Sequence, residues 1–171
     1  MSVIKVGDIH DFEILKGLTS KERDLFARRL KEKRLAAEEF VFQEGDKGGT
    51  IFFLISGEVE ISQALTLPMA KSAQYDSRAK SIIRLSGEQH PLFGEVSYLS
   101  EGNERSATVK ALTPCRLGVI ANKDFTAILE GNPDIGYKVT RNLARIICNR
   151  LVTSNQNVLK LTTALSLILE K

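Results

Sequence analysis

The spacing of hydrophobic positions along this chain of 171 residues changes twice, from helical to strand-like and back to helical. The first apolar face has helical spacing and consists of Leu18, Leu25, Phe26, Leu30 and Leu35. Thr19, followed three residues later by Glu22, has the pattern of a capping box, which marks the start of a helix. The sequence therefore predicts a helical N-terminal segment over residues 1–35. We interpret the basic residues at positions 28–34 as the solvated face of that helix, with a contact patch as the alternative.

From Phe40 onward, short apolar runs alternate with turns that contain glycine. The predicted strands are residues 40–42, 50–55, 58–62, 81–85, 107–111 and 115–120. Several short strands separated by turns predict a compact all-β unit, a sandwich or a barrel, over residues 36–131. Residues 63–79 contain Pro68 and have no sustained period, so they are expected to form a long connection between two strands.

The pattern becomes helical again near the C-terminus. Asn122 is predicted to cap a short helix that ends near Gly131, and N-P-D at residues 132–134 is a second helix start. A helix that continues to Leu169 would be about 55 Å long at ~1.5 Å per residue. Its apolar stripe consists of Ile135, Val139, Leu143, Ile147, Leu151, Val158, Leu161, Leu165 and Ile168. Such a stripe needs a partner, so residues 132–171 are predicted to form a dimerisation helix, with a homodimer formed through residues 133–169.

Composition narrows the class of protein. Hydrophobic residues make up 43%, charged residues 26%, and the net charge is +3, as in ordinary globular domains. The two cysteines lack the spacing of a disulfide framework or a zinc site, which favours a reduced, cytoplasmic setting. No apolar run has the length of a signal peptide or of a membrane span, so no membrane association is expected. With two histidines and no H-x-H motif, a metal-dependent enzyme of the cupin type is not expected, and no metal site, catalytic residue or cofactor is assigned.

The segment F-G-E-V-S-Y-L-S-E-G-N-E-R-S-A-T-V at residues 93–109 carries the candidate chemistry. Gly94 allows close approach of the backbone to a ligand. Arg105 offers a planar fork of donors to a phosphate group, and Ser106 adds a hydroxyl. Glu95 has the wrong charge for a phosphate but suits a sugar hydroxyl. Together these residues predict a nucleotide site, and the alternative is a surface ion pair between Glu95 and Arg105.

This segment resembles the phosphate-binding cassette of cyclic-nucleotide-binding domains, which occur in the bacterial catabolite activator protein and in the regulatory subunits of cAMP-dependent protein kinase. Further motifs that fit are F-Q-E-G-D at 42–46, F-F-L-I-S-G-E-V at 52–59, T-P-C-R-L at 113–117, N-P-D at 132–134 and R-L-V-T-S-N at 150–155. The resemblance implies an α+β fold. Its core is an antiparallel β jelly-roll, or double-stranded β-helix barrel, with an N-terminal helix and a long C-terminal helix that serves as lid and dimer interface.

The resemblance also implies a site for cAMP or cGMP composed of Gly94, Glu95, Val96, Arg105, Ser106, Ala107, Ser154 and Asn155. Arg105 and Ser106 would bind the cyclic phosphate, and Glu95 the ribose 2′-hydroxyl. Ser154 and Asn155 would contact the base, one from each subunit of a dimer. For these two residues the alternative is a helix bend or a polar layer that sets the register of paired helices. An inserted Q-H-P at residues 89–91 departs from the family pattern and is expected to reshape the mouth of the pocket.

These features favour a non-enzymatic sensor of a cyclic nucleotide, cAMP in the first place, that signals to an unidentified effector protein. The alternative is a degenerate fold that has lost its ligand and serves as a dimerisation or protein-interaction module. Transcription factors of this family carry a helix-turn-helix after the long helix. Only about fourteen residues follow Asn157, so direct DNA binding is not expected.

Overall fold

A computed structural model of the chain describes residues 4–64 and 79–169. The helices are α1 (Ser20–Ala27), α2 (Val96–Leu99), α3 (Asn122–Gly131) and α4 (Pro133–Leu169), with 3₁₀ helices at Val6–Ile9, Glu13–Leu15 and Gly87–Gln89. The strands are β1 (Lys31–Leu35), β2 (Phe40–Phe42), β3 (Thr50–Ser56), β4 (Glu58–Ala64), β5 (Ala79–Ser86), β6 (Leu92–Phe93), β7 (Thr108–Ala111) and β8 (Cys115–Ala121). The predicted connection over residues 63–79 lies almost wholly outside the described residues, and its flanking strands β4 and β5 pair as antiparallel neighbours.

Within the described residues, the strands form two antiparallel four-stranded sheets, in the orders β1-β8-β3-β6 and β2-β7-β4-β5. Strand β7 shows the alternation behind this arrangement, because Val109 and Ala111 are buried while Thr108 and Lys110 are half-buried. Side chains from both sheets, among them Leu54 and Val59, form one buried cluster. This packing confirms the predicted all-β unit and its jelly-roll architecture.

A second buried cluster joins the first sheet to the helices. Neighbouring residues of a strand face opposite sides of the sheet, so Phe52 belongs to the cluster between the sheets and Phe53 to the cluster under the helices. The Phe53 ring centroid lies 5.0 Å from that of Phe12, in the N-terminal segment. Phe125 of α3 and Val139 of α4 are completely buried in the same cluster. The helices at both ends of the chain therefore share one core.

The N-terminal helix is shorter than predicted. The capping box is confirmed, since the Thr19 amide donates to Glu22 Oε2 at 2.6 Å and the Glu22 amide donates to Thr19 Oγ1. However, α1 ends at Ala27, so the prediction of helix to residue 35 is wrong for Lys31–Leu35, which is strand β1 and pairs with β8. Pairing with β8 outweighs the helical spacing of apolar residues in this segment. The basic run at residues 28–34 therefore spans a helix end and a strand and is not one helical face.

The boundary between α3 and α4 differs in detail from the prediction. Asn122 is the first residue of α3, and Ala121 occupies the cap position. The side-chain amide of Asn132 donates to the Ile128 carbonyl at 3.1 Å and so contacts the last turns of α3. Pro133 is the first residue of α4, as predicted. Proline suits this position because the first amide of a helix has no partner within the helix.

Helix α4 is continuous over 37 residues, which confirms the predicted long helix. Its first half packs on the core through Ile135, Val139 and Leu143. The buried side chain of Asn142 donates to the carbonyls of Ile14 at 3.1 Å and Lys16 at 2.8 Å, so it fixes α4 to the N-terminal segment. Every residue from 151 to 169 is exposed, including the apolar ones of the predicted stripe.

Candidate functional site

A pocket of about 420 Å³ opens at residues 93–109, between the two sheets and the first half of α4. Its lining comprises Phe42, Ile61, Phe93, Gly94, Glu95, Val96, Ser97, Arg105, Ser106, Ala107, Val109 and Arg150. Six predicted site residues therefore lie together around one cavity. Of the eight predicted, only Ser154 and Asn155 are not among its lining residues.

Gly94 lines this pocket where the Arg105 guanidinium meets the backbone. Its φ of +84° lies in the left-handed region, which favours glycine. A β-carbon at this position would lie 2.8 Å from Arg105 Nη1 and 3.1 Å from the Thr50 carbonyl oxygen. The absence of a side chain at Gly94 thus allows the Arg105 guanidinium to lie directly against the backbone.

Arg105 is only 5% exposed, and its guanidinium is held by neutral groups. Nη1 donates to Ser97 Oγ at 2.8 Å and to the Gly94 carbonyl at 3.1 Å. Nη2 donates to Thr50 Oγ1 at 2.9 Å and to the Thr50 carbonyl at 3.0 Å. Nε is buried and has no hydrogen-bond partner among the described residues. The guanidinium carbon also lies 4.2 Å from the centroid of the Phe42 ring, in a cation–π contact.

The charge of Arg105 has no carboxylate in contact with it among the residues that the structure describes. Burial lowers the pKa of the guanidinium, while Asp46 and Glu95 act on it from a distance in the opposite direction. An arginine remains protonated at physiological pH even so. The pocket therefore contains a permanent, desolvated positive charge that lacks a directly bound counter-ion.

The backbone around Arg105 is held by the E-G-D part of the motif at residues 42–46. The Arg105 amide donates to the Asp46 carbonyl at 2.8 Å, and the Gly45 amide donates to the Arg105 carbonyl at 2.9 Å. Further along the same two segments, the Gly48 amide donates to the Asn103 carbonyl at 2.7 Å. These bonds fix the loop that presents Arg105.

Glu95 is 2% exposed, and its two carboxylate oxygens differ in their surroundings. Oε1 accepts a hydrogen bond from Nη1 of Arg150 on α4, and Nη2 of Arg150 donates to the Leu92 carbonyl at 2.5 Å. Oε2 is buried without a hydrogen-bond partner among the described residues. Glu95 is paired with Arg150 and not with Arg105, and it is buried. The alternative of a surface ion pair between Glu95 and Arg105 is therefore wrong.

The remaining predicted site residues lie partly in this pocket and partly outside it. Ser106 is exposed and Ala107 half-buried, and both line the pocket, as does Val96, which is exposed. Ser154 lines an adjacent groove of about 910 Å³ between α2 and α4. Asn155 is exposed on α4 and lines neither cavity within the single chain.

That adjacent groove is mostly apolar. It is lined by Glu95, Val96, Leu99, Ser100, Ile147, Arg150, Leu151 and Ser154. Glu95, Val96 and Arg150 line both the groove and the pocket, so the two cavities are neighbours. His90, from the inserted turn, lies elsewhere and packs its ring against Phe12 at 5.4 Å between centroids.

Four contributors to the site were not assigned from the sequence: Thr50, Phe42, Ser97 and Arg150. Arg150 precedes Ser154 by one helical turn, and this spacing was the one available signal that both face the same side of α4. Ser97 is a polar residue inside an apolar run, a pattern compatible with a buried hydrogen bond. Thr50 and Phe42 lie in strand segments whose pattern predicts buried core residues, so nothing in that local pattern indicated a role in the site.

The described part of the chain contains no group of three or more histidine, cysteine or acidic residues that could hold a metal ion. Among the described helices, none has both the length and the apolar character needed to cross a membrane. Cys115 is buried and Cys148 exposed, and both are free thiols.

Comparison with known proteins agrees with this geometry. The family model of the cyclic nucleotide-binding domain matches residues 32–132. The cAMP-activated global transcriptional regulator CRP of Pasteurella multocida is 33% identical over 105 residues, which are 61% of this chain and 45% of that protein. The corresponding regulator of Haemophilus influenzae is 27% identical over 126 residues, covering 74% of this chain and 51% of that protein. The chain thus spans about half the length of these relatives.

Solved structures show the same fold. A cyclic nucleotide-binding domain from Methylobacillus flagellatus superposes with a TM-score of 0.74 at 21% identity, over 90% of this chain and 82% of that one. The catabolite activator protein of Thermus thermophilus gives a TM-score of 0.69 at 24% identity, over 88% of this chain and 63% of that one. These matches confirm the predicted jelly-roll with its flanking helices. With the family model covering more than half of its length, the chain belongs to the cyclic nucleotide-binding domain family.

Proposed function

We propose that this chain is a non-enzymatic regulatory module that binds a 3′,5′-cyclic nucleotide, cAMP in the first place, in the pocket of Arg105 and Glu95. The observation that supports this most strongly is the buried guanidinium of Arg105, which contacts no carboxylate within residues 4–64 and 79–169. A buried charge is costly unless it is paired, so the pocket favours an anionic ligand. The cyclic phosphate carries one negative charge, which matches the single guanidinium.

Glu95 supplies the complementary half of the site. Its Oε2 is a buried acceptor without a partner among the described residues, and a ribose 2′-hydroxyl is a donor of suitable size and polarity. Glu95 and Arg105 both line the pocket and are both more than nine-tenths buried. A ligand that combines an anion with a hydroxyl donor, as a cyclic nucleotide does, would match both groups.

The same proposal assigns the base to the groove next to the pocket. Ser154 lines this groove, and Asn155 follows it on the next position of α4. In a homodimer formed through residues 133–169, Asn155 would reach the site of the second subunit. The exposed apolar residues of α4 support such pairing, because Leu151, Leu161 and Leu165 are each more than half exposed within one chain.

A signal would then pass through α4. This helix contacts the ligand pocket through Arg150 and continues beyond the core as an exposed segment. A ligand that changes the Glu95 contact changes the position of Arg150, and with it the preferred arrangement of α4. The effector protein is the recipient of that change, and the module itself performs no chemical reaction.

The direct test is calorimetric titration of the chain with cAMP, cGMP and 2′-deoxy-cAMP. We expect saturable binding of cAMP and weaker binding of the 2′-deoxy analogue, which cannot donate to Glu95. Arg105→Ala should weaken cAMP binding by about tenfold to over a hundredfold, since a charge-assisted hydrogen bond contributes ~1.5–3 kcal/mol. Lys123→Ala, a charge change on the exposed start of α3, is the matched control and should bind as the wild type does.

Two results would count against the proposal. Absence of binding at millimolar concentrations of each nucleotide would favour the alternative, a protein-interaction module without a ligand. Equal binding of cAMP and 2′-deoxy-cAMP would remove Glu95 from the sugar site while leaving the phosphate site of Arg105 in place.

A further inference from the structure

The guanidinium of Arg105 is immobilised by two hydroxyl-bearing residues outside the predicted site, Thr50 of β3 and Ser97 of α2. Each provides a side-chain oxygen to a different nitrogen of Arg105, Thr50 Oγ1 to Nη2 at 2.9 Å and Ser97 Oγ to Nη1 at 2.8 Å. Backbone carbonyls of Thr50 and Gly94 take the other two bonds. The four N–H groups at the two Nη atoms are thus matched by four acceptors, so a phosphate would share these protons or accept from Nε, which has no partner among the described residues.

The geometry at Ser97 defines the direction of its hydrogen bonds. Ser97 Oγ donates its one proton to the Gly94 carbonyl at 3.0 Å, which leaves its lone pairs for Arg105 Nη1. Ser97 is 2% exposed, and a β-carbon at Gly48 would lie 2.2 Å from its Oγ, so the hydroxyl is confined from that side. A hydroxyl with a fixed orientation in a closed site is an acceptor that needs no rearrangement when a ligand arrives.

We propose that Thr50 and Ser97 are positioning residues that hold the Arg105 guanidinium in its ligand-binding orientation before any nucleotide is present. This inference rests on the proposed function of Arg105 as the phosphate-binding residue. Fixing a long side chain on binding weakens affinity by about two- to tenfold, and a side chain that is already fixed avoids that loss. Thr50 and Ser97 act only through Arg105, and neither hydroxyl needs to touch the ligand.

The ligand-free chain provides the first test. In ¹⁵N–¹H spectra of the wild type, the Nη groups of Arg105 should give resolved signals, because four hydrogen bonds hinder rotation of the guanidinium. These signals are assigned by their loss in Arg105→Lys. They should broaden or merge in Thr50→Val and in Ser97→Ala but stay resolved in Ser20→Ala, an exposed serine on α1 that serves as the matched control.

Calorimetry with cAMP provides the second test. Thr50→Val keeps the shape of the side chain and removes the hydroxyl, so we expect affinity to fall by about two- to tenfold, with a similar loss for Ser97→Ala. Thr50→Ser retains the hydroxyl and should recover most of the affinity that Thr50→Val loses. In an Arg105→Lys background the effect of Thr50→Val should disappear, because lysine has no Nη2 group to be held. A general disturbance of the cassette would instead weaken binding by the same factor in both backgrounds.

The outcomes separate the two proposals. If the wild type binds cAMP, and Thr50→Val and Ser97→Ala bind it equally well or more tightly, the positioning role is overturned and the proposed function stands. Unchanged Nη signals in both variants would overturn the positioning role as well. If the wild type binds no cyclic nucleotide, the proposed function fails and the positioning role fails with it.

Discussion

Replacing Gly94 with alanine tests whether the close contact between backbone and guanidinium organises the pocket. The new methyl group would meet Arg105 Nη1 at 2.8 Å, and both the Thr50 carbonyl oxygen and Cδ2 of Phe52 at 3.1 Å. The arginine end can move, but the strand carbonyl and the buried ring are held by the sheet. The substitution must therefore displace Arg105 or strain the strand, and displacement also breaks its bond to the Gly94 carbonyl.

The magnitude follows from two contributions. Alanine at a φ of +84° pays about 1–2 kcal/mol for the left-handed conformation. Crowding against atoms that cannot move freely adds about 1–3 kcal/mol. Reduced freedom of the unfolded chain offsets about 0.4–1 kcal/mol of this. We expect the free energy of unfolding to fall by about 1–5 kcal/mol. The affinity for cAMP should fall at least about tenfold, since Arg105 leaves its position.

Urea unfolding followed by circular dichroism gives the stability change, and calorimetry gives the affinity. The matched control is Gly102→Ala, where the new methyl group has no atom within 4 Å and the residue is exposed. Gly102→Ala should change the free energy of unfolding by less than about 0.5 kcal/mol. If Gly94→Ala is as stable as Gly102→Ala, or binds cAMP as the wild type does, the close contact does not organise the site.

Three further outcomes are expected. A double-mutant cycle of Arg150→Met and Glu95→Gln in urea unfolding should give a coupling energy of at least about 1 kcal/mol, because Arg150→Met leaves the buried carboxylate of Glu95 unpaired. Additive effects would contradict the ion pair. The hydrogen bond from Arg116 lowers the pKa of Asp8, so this contact stabilises the fold at neutral pH and is lost as the pH falls through the lowered pKa. Asp8→Asn should therefore lower the free energy of unfolding by about 0.5–1 kcal/mol near pH 7. The difference from the wild type should shrink below about pH 3.9 in unfolding measurements. Leu161→Lys, at an exposed position of α4, should convert a dimer to a folded monomer in light scattering at micromolar concentration, whereas a wild type that is already monomeric would refute the helix pairing.

The sequence predicted six of the eight described strands because glycine turns separate their apolar runs, although burial alternates in β7 and not in β3, where Ile51 to Leu54 are all buried. It failed at Lys31–Leu35, where the residues K-E-K-R-L have no apolar alternation and the strand exists through its pairing with β8. Such pairing joins segments 84 residues apart, as the contact of Arg116 with Glu32 shows, and no local pattern records it. Local periodicity therefore predicts helix or strand only where the spacing of apolar residues within the segment itself decides which of them are buried.

The candidate site shows the same difference between features encoded in one segment and features that join distant segments. The cassette residues were predicted because their chemistry is concentrated in one segment, from Gly94 to Ala107. Arg150 and Thr50 were missed because each comes from a distant element and reaches the site only after the fold has formed. The sequence also left open whether Glu95 pairs with Arg105, and the ion pair of the buried Glu95 with Arg150 decided that question.

The anchoring of α4 by Asn142 has a consequence for how the chain folds during synthesis. Its hydrogen bonds join residues 128 and 126 positions apart, to the carbonyls of Ile14 and Lys16. The apolar residues Phe12 and Ile14 therefore leave the ribosome long before the helix that covers them exists. Such sequence-distant contacts favour slow folding, on the millisecond to second scale, and leave early hydrophobic residues exposed to chaperones. The beginning of the chain completes its fold only when Asn142 has emerged.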